Sequence, residues 1–368
     1  MVLNKNRSRI NEVCVHIGLP KTGSTSIQQA CAEKVSELRE HGIIFPLFRS
    51  NHEPENHSMP MRFLSEFRCE LPFGNPADYL DPKEVEATWH QALTASDADK
   101  MLLSGEALAQ MPVKSIQNFK RTLSNSIGPE ACIRILLIVR NSVDLYVSWR
   151  NEYTKHQVNT EDIAHSFFPA NPEELAKLGD ILSNWQSVFP EASFSIVKYE
   201  DWQSGRGLLA EFSEWAGLPF ILSDKKENTS ESWELLRLNQ WMSKSPHPVS
   251  LSAVSGAKGT KPGPIPNQDE PAIRQFQSEM DRLLAQTDLP PYPRRVTFLD
   301  LKSEALWPSS FFEELDRKLK WTNNEAFKQA LNALLNILAE EGDQWSPSVR
   351  WRVWREVWKR KVLLRLGG

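Results

Sequence analysis

Apolar residues along this chain fall into two patterns that take turns. Short runs of branched side chains alternate with stretches where apolar positions recur every three or four residues. The first run is Val13-Cys14-Val15-His16-Ile17. It passes through a Gly/Pro turn into a stretch with Ile27, Ala30, Val35 and Leu38 on one helical face. That pattern predicts a strand, a tight loop and a helix over 24–40. Gly42 reads as its left-handed cap, and Ile43-Ile44-Phe45 as a short buried strand closed by Pro46.

The alternation continues. Met101 to Ser104 reads as a buried strand, and Ile133 to Val139 and Phe194 to Lys198 as two further strands. Helices are predicted over 83–93, 113–123, 173–188, 208–216, 272–285, 312–319 and 324–341. Another follows Asn228-Thr229-Ser230, and one starts at Asn141, where Asn141 and Asp144 have helix-start spacing. Gly217 caps the helix over 208–216. Strand and helix in alternation give an α/β fold: a doubly wound parallel sheet with helices on both faces. Residues 47–82 are polar and proline-rich, and 243–267 are rich in Ser, Gly, Pro and Lys, so both read as loops. The division expected is a main domain over 1–300 and a helical extension over 301–368.

Composition narrows the classes. The 368 residues are 40% hydrophobic and carry a net charge of −4, so no global basic signature points to nucleic acid. Cys14, Cys31, Cys69 and Cys132 form no zinc spacing and read as buried free thiols in a reducing compartment. No apolar run is long enough to span a membrane, and residues 1–12 hold no signal core.

The chemistry concentrates in the loop after the first strand, Gly18-Leu19-Pro20-Lys21-Thr22-Gly23-Ser24-Thr25-Ser26. Such a loop aims backbone N–H groups and a helix N-terminus at one spot. Lys21 adds a charge and the hydroxyls of Thr22, Ser24, Thr25 and Ser26 add donors, which suits a phosphate or sulfate. A Walker A loop needs Lys and then Ser/Thr after its second glycine. Here Lys21 precedes Gly23, and Ser24 stands in the lysine position. The run Pro20 to Ser26 instead resembles the 5′-phosphosulfate loop of sulfotransferases that use PAPS (3′-phosphoadenosine 5′-phosphosulfate), above all those acting on carbohydrates.

Further residues match that family. Arg140 ends the fourth strand and Ser148 follows eight residues on. Sulfotransferases hold the 3′-phosphate of PAPS with an Arg and a Ser at this spacing. Ser104-Gly105-Glu106 is similar to a Ser-Ser-Glu element of bacterial members, with Gly105 replacing the second Ser, and His57 resembles a His found there. The resemblance implies a P-loop-like fold and sulfuryl transfer from PAPS to a hydroxyl acceptor, a sugar or glycan, without a metal. Lys21, Thr22, Gly23, Ser24, Thr25, Ser26, Arg140 and Ser148 would hold PAPS. Lys21 would also stabilise the leaving phosphate. Glu106 would be either the base or the group that orients His57. With no signal or anchor, the resemblance implies a cytoplasmic enzyme. Asn228 to Ser230 resembles an element of the carbohydrate branch. Gly256 to Lys261 reads either as a linker or as a loop over the cofactor. Two other readings stay open. One is a P-loop kinase-like phosphotransferase requiring Mg²⁺. The other is a non-catalytic nucleotide-binding or membrane-associated protein of the same fold.

The last stretch, Trp345 to Gly368, differs from the rest. It carries seven Lys/Arg against Glu356 alone, a local +6 on a chain that is −10 elsewhere. Trp351, Trp354, Trp358 and Val362 share one helical face. Either this segment meets an anionic membrane surface peripherally, at the inner membrane face, or it packs its Trp face on an acidic body.

Overall fold

The computed structural model describes residues 10–47, 98–127, 130–155, 176–223, 238, 270–293, 311–313, 324–341 and 345–366. Within these residues the chain forms two compact units. The first takes Met1–Leu145, Ala164–Lys226 and Gln275–Pro293. The second takes Tyr146–Ile163, Glu227–Arg274 and Arg294–Gly368.

The first unit holds a five-stranded sheet. Its strands are β1 (Glu12–His16), β2 (Ile43–Ile44), β3 (Lys100–Ser104), β4 (Cys132–Val139) and β5 (Ser193–Lys198). They lie in the order β2-β3-β1-β4-β5 and every pair is parallel. Near-continuous apolar runs suit such strands because both faces are covered. Val13, Cys14 and Val15 are all fully buried, as are Leu102, Leu103, Ile135 and Leu136.

One face packs against α1 (Ser24–Glu33), α2 (Val35–Glu40) and α7 (Leu208–Trp215). There Cys14, Leu102, Leu136 and Ile138 share a core with Ile27, Leu38 and Phe212. The next crossovers run the other way along the sheet, so right-handed connections carry their helices to the opposite face. These are α3 (Val113–Ile127) and α5 (Ile181–Val188), which pack through Phe119, Trp185 and Phe189. The doubly wound α/β sheet with helices on both faces is what the alternation predicts.

Several boundaries differ from the sequence reading. The helix over 24–40 is two helices, broken at Lys34, whose ψ of 13° opens the ladder and whose N–H turns back to Cys31. Of the helix expected over 173–188, the described residues start at 176, and the α-helix itself begins at Ile181. Leu178–Asp180 is a 3₁₀ turn, and the bare Gly179 admits the Glu279 carboxylate to its N–H at 3.0 Å. Asn141 does cap its helix, α4 (Ser142–Lys155), by accepting from the Val143 N–H at 2.9 Å. Gly42 and Gly217 have the left-handed φ that their capping roles require, 71° and 61°. Cys14 and Cys31 are buried and free, whereas Cys132 is exposed at the start of β4. Cys69, His57, the helix over 83–93 and the segments 228–230 and 256–261 lie outside the described residues.

Between β5 and α7 lies α6 (Tyr199–Ser204), and α8 (Glu270–Leu284) precedes Tyr292. The second unit includes the helices α9 (Asn324–Glu341) and α10 (Pro347–Leu366), which pack on each other. Among the described residues no helix is long and apolar enough to cross a membrane.

Candidate functional site

The crossover after β1 leads toward β2, and the one after β4 leads toward β5, in opposite directions. β1 and β4 are neighbours, so their carboxyl ends flank a topological switch point, where open α/β sheets bind ligands. Lys21 and Arg140 both sit there.

The sheet extends into the loop. The N–H groups of Ile17 and Leu19 are donated to the carbonyls of Leu136 and Ile138, at 2.9 and 2.8 Å. Gly18 has φ +113°, and a Cβ there would lie 2.9 Å from the Glu106 carbonyl oxygen, so glycine lets β3's continuation close against the loop. Thr22 is buried and donates its hydroxyl to the Leu19 carbonyl, folding the loop on itself. Lys21 has a left-handed backbone, φ 63°. For a non-glycine residue this costs about 1 kcal/mol. Gly23, φ 84°, opens α1, and no side chain caps it. The first helical bond runs from the Ile27 N–H to the Gly23 carbonyl. The N–H groups of Ser24, Thr25 and Ser26 precede it and have no helical acceptor.

Arg140 closes the other side. Its Nη1 donates to the Lys21 carbonyl at 2.8 Å, and its guanidinium lies over the Tyr199 ring, 5.1 Å from the centroid. Its Nε is buried with no acceptor. Glu200 holds this end of β4 in place. One carboxylate oxygen accepts from the Asn141 N–H at 2.9 Å, and the other accepts from the Tyr292 hydroxyl at 2.8 Å. Burial, reinforced by Glu200, pushes the Tyr292 phenol upward, so it stays a donor. Burial likewise raises the Asp144 carboxyl, with Glu200 adding and Arg140 opposing.

Glu106 starts a 3₁₀ turn after β3 and accepts a hydrogen bond from the Ser24 hydroxyl. Beneath it lies a fully buried polar pair. His16 Nδ1 and Ser104 Oγ are 2.9 Å apart, and Gln28 donates to the Ser104 carbonyl at 3.4 Å. Burial lowers His16 to about 3, so the imidazole is neutral.

The structure therefore brings Lys21, Thr22, Gly23, Ser24, Glu106 and Arg140 to one end of the sheet. Thr25 and Ser26 occupy the first turn of α1. Ser148 lies on α4, in the part belonging to the second unit. Sequence reasoning missed Tyr199, Glu200 and Tyr292 as site residues. Tyr199 and Glu200 had a signal, since they directly follow a strand. Tyr292 had none. Among the described residues no His, Cys, Asp and Glu group is arranged to hold a metal ion.

No family model matches the sequence, and no curated protein does. Among solved structures, the chain is similar to the crystal structure of a sulfotransferase from Alicyclobacillus acidocaldarius. The two share 15% identity with a TM-score of 0.42, over 76% of this chain and 97% of that one.

Proposed function

We propose that this chain is a sulfotransferase that transfers the sulfuryl group of PAPS to an acceptor hydroxyl. One observation carries the reading: Arg140 reaches the Lys21 carbonyl while its buried Nε has no acceptor, at the switch point of the sheet. A buried guanidinium N–H without an acceptor is costly unless an anion completes it. The uncapped start of α1 offers further N–H groups to an anion. These residues fit a phosphorylated nucleotide. The order Lys21-Thr22-Gly23-Ser24 favours the phosphosulfate loop over a triphosphate loop.

When bound, PAPS supplies the sulfuryl group and a phosphate leaving group. The chain's own residues then divide the work. Ser24, Thr25 and Ser26 offer backbone N–H donors to the 5′-phosphosulfate, and Thr25 and Ser26 their hydroxyls as well. Lys21 neutralises the charge that develops on the departing phosphate oxygen. Arg140 pairs with the 3′-phosphate through its planar fork. Glu106 takes the acceptor's proton. The likeness of the loop to that of carbohydrate enzymes makes a saccharide hydroxyl the acceptor we propose.

Calorimetry with PAP and ADP, which carry their second phosphate on the 3′-oxygen and on the 5′-phosphate respectively, tests the assignment. PAP is expected to bind more tightly by about 1.5–3 kcal/mol, the value of hydrogen bonds to a charged group. Equal affinities would overturn the reading.

A further inference from the structure

The last helix is built inside out. Val349, Val353 and Val357 are buried, and α10 packs on α9. The buried side also holds charge. Arg360, 2% exposed, donates to the Glu356 carboxylate at 2.7 Å and lies over the Phe312 ring. The large apolar residues point the other way: Trp351, Trp354 and Trp358 are 57%, 50% and 57% exposed. A surface helix ordinarily does the reverse.

At about 100° per residue, the three indoles centre about 130° around the helix from the valine seam. Arg350 falls on one flank, and Arg355 and Lys359 on the other; all three are exposed. Over residues 347–360 the exposed side has no carboxylate, because the single acid, Glu356, is turned inward and paired with both Arg360 and Arg355. The Arg355 guanidinium covers the Trp351 ring at 4.9 Å, and the rings of Trp354 and Trp358 lie nearly parallel, at 14°. Beside them runs a groove of about 540 Å³, where Leu335 and Leu338 of α9 face Pro347, Trp351 and Trp354.

We propose that α10 is a monotopic helix whose Trp351–Trp354–Trp358 face seats at the headgroup level of an anionic bilayer. Indoles prefer that depth, where one edge is apolar and the other wet. Cationic flanks then meet lipid phosphates while the helix lies flat. The aliphatic groove favours lipid over a polynucleotide, which would use aromatic platforms and phosphate contacts but not a leucine-lined cleft. This surface lies in the second unit and does not depend on sulfuryl transfer.

The test is co-sedimentation of the full chain with phosphatidylcholine vesicles, with and without an equal part of phosphatidylglycerol. Binding is expected only with phosphatidylglycerol, with a blue shift of Trp emission and weakening in salt. Each basic side chain at such a surface contributes roughly fivefold, so R355Q/K359Q should bind about 25-fold more weakly. The variant W351S/W354S/W358S alters exposed positions, and unchanged thermal unfolding would verify its fold. It should lose at least about tenfold in binding. No pelleting at low salt would overturn the proposal, as would full binding by either variant. So would a concentration-dependent dimer abolished by the Trp variant, which would assign the face to a second copy. Binding to poly-uridylate in place of vesicles would also overturn it.

Discussion

Arg140 Nη1 donates to the backbone carbonyl of Lys21 across 119 residues of sequence, tying the end of β4 to the tip of the loop after β1. The same side chain is thus both part of the loop's architecture and a candidate ligand group. Arg140→Ala should cost about 1 kcal/mol of stability for the lost hydrogen bond. It should also erase most of the preference for PAP over ADP. Arg140→Lys keeps the charge but loses the planar fork, so it should recover only part of that preference. Denaturant unfolding and calorimetry on the three proteins separate the two roles. An Arg140→Ala protein that still prefers PAP as strongly as wild type would return the residue to architecture alone.

Lys21 combines a strained backbone with a charged side chain. At φ 63°, glycine is the residue the backbone favours. Lys21→Gly should therefore be more stable than Lys21→Ala by about 1–2 kcal/mol, the reverse of the usual order of these residues. Both should lose turnover more than nucleotide affinity, because the ammonium acts on charge developed in the transition state. Urea midpoints and kcat measured on the pair decide this.

Glu106 accepts from the Ser24 hydroxyl, so its carboxylate faces the start of α1. Glu106→Gln preserves an acceptor for Ser24 while removing the base. Turnover should fall by roughly 10²–10⁴ with PAP affinity kept. Ser24→Ala should weaken nucleotide binding and leave a smaller deficit in kcat. Full turnover in Glu106→Gln would place proton removal elsewhere.

His16 links stability to pH. Its folded value of about 3 lies below the ordinary 6.5, because burial disfavours the imidazolium. The unfolded chain therefore binds the extra proton, and stability falls as pH drops through 6.5 toward 3. For this group alone the slope approaches about 1.4 kcal/mol per pH unit. His16→Asn, which can still meet Ser104, should flatten that dependence. Urea titrations at pH 7 and pH 5 compare the two slopes, and parallel slopes would show that His16 does not carry the effect.

The strands were legible because burial on both faces demands unbroken branched runs, and Ile133 to Val139 could hardly be anything else. Gly42 and Asn141 were legible because their chemistry is local. What stayed hidden was set by distant partners. Nothing near Tyr292 shows that its hydroxyl meets Glu200, 92 residues back. The hydroxyl of Thr22 counts as a donor to ligand on paper, yet it turns inward to Leu19. In the tail, spacing put the three Trp on one face, as the structure has it. It did not show which face is buried, because three valines and an ion pair fill a role expected of larger residues. Trp351, Trp354 and Trp358 are half exposed or more.

The rungs that join Ile17, Gly18 and Leu19 to β4 have a consequence for exchange with solvent. The amides of Leu19 and Ile138 are bonded across the sheet, so they give up their protons only when the central strands part. The amides of Thr25 and Ser26 lie a few residues further on, ahead of the first helical bond and on less buried residues, and trade protons from the intact fold. The cradle thus has a sill as slow as the core and a lip as fast as a surface turn. An anion settling there would be registered almost wholly at the lip.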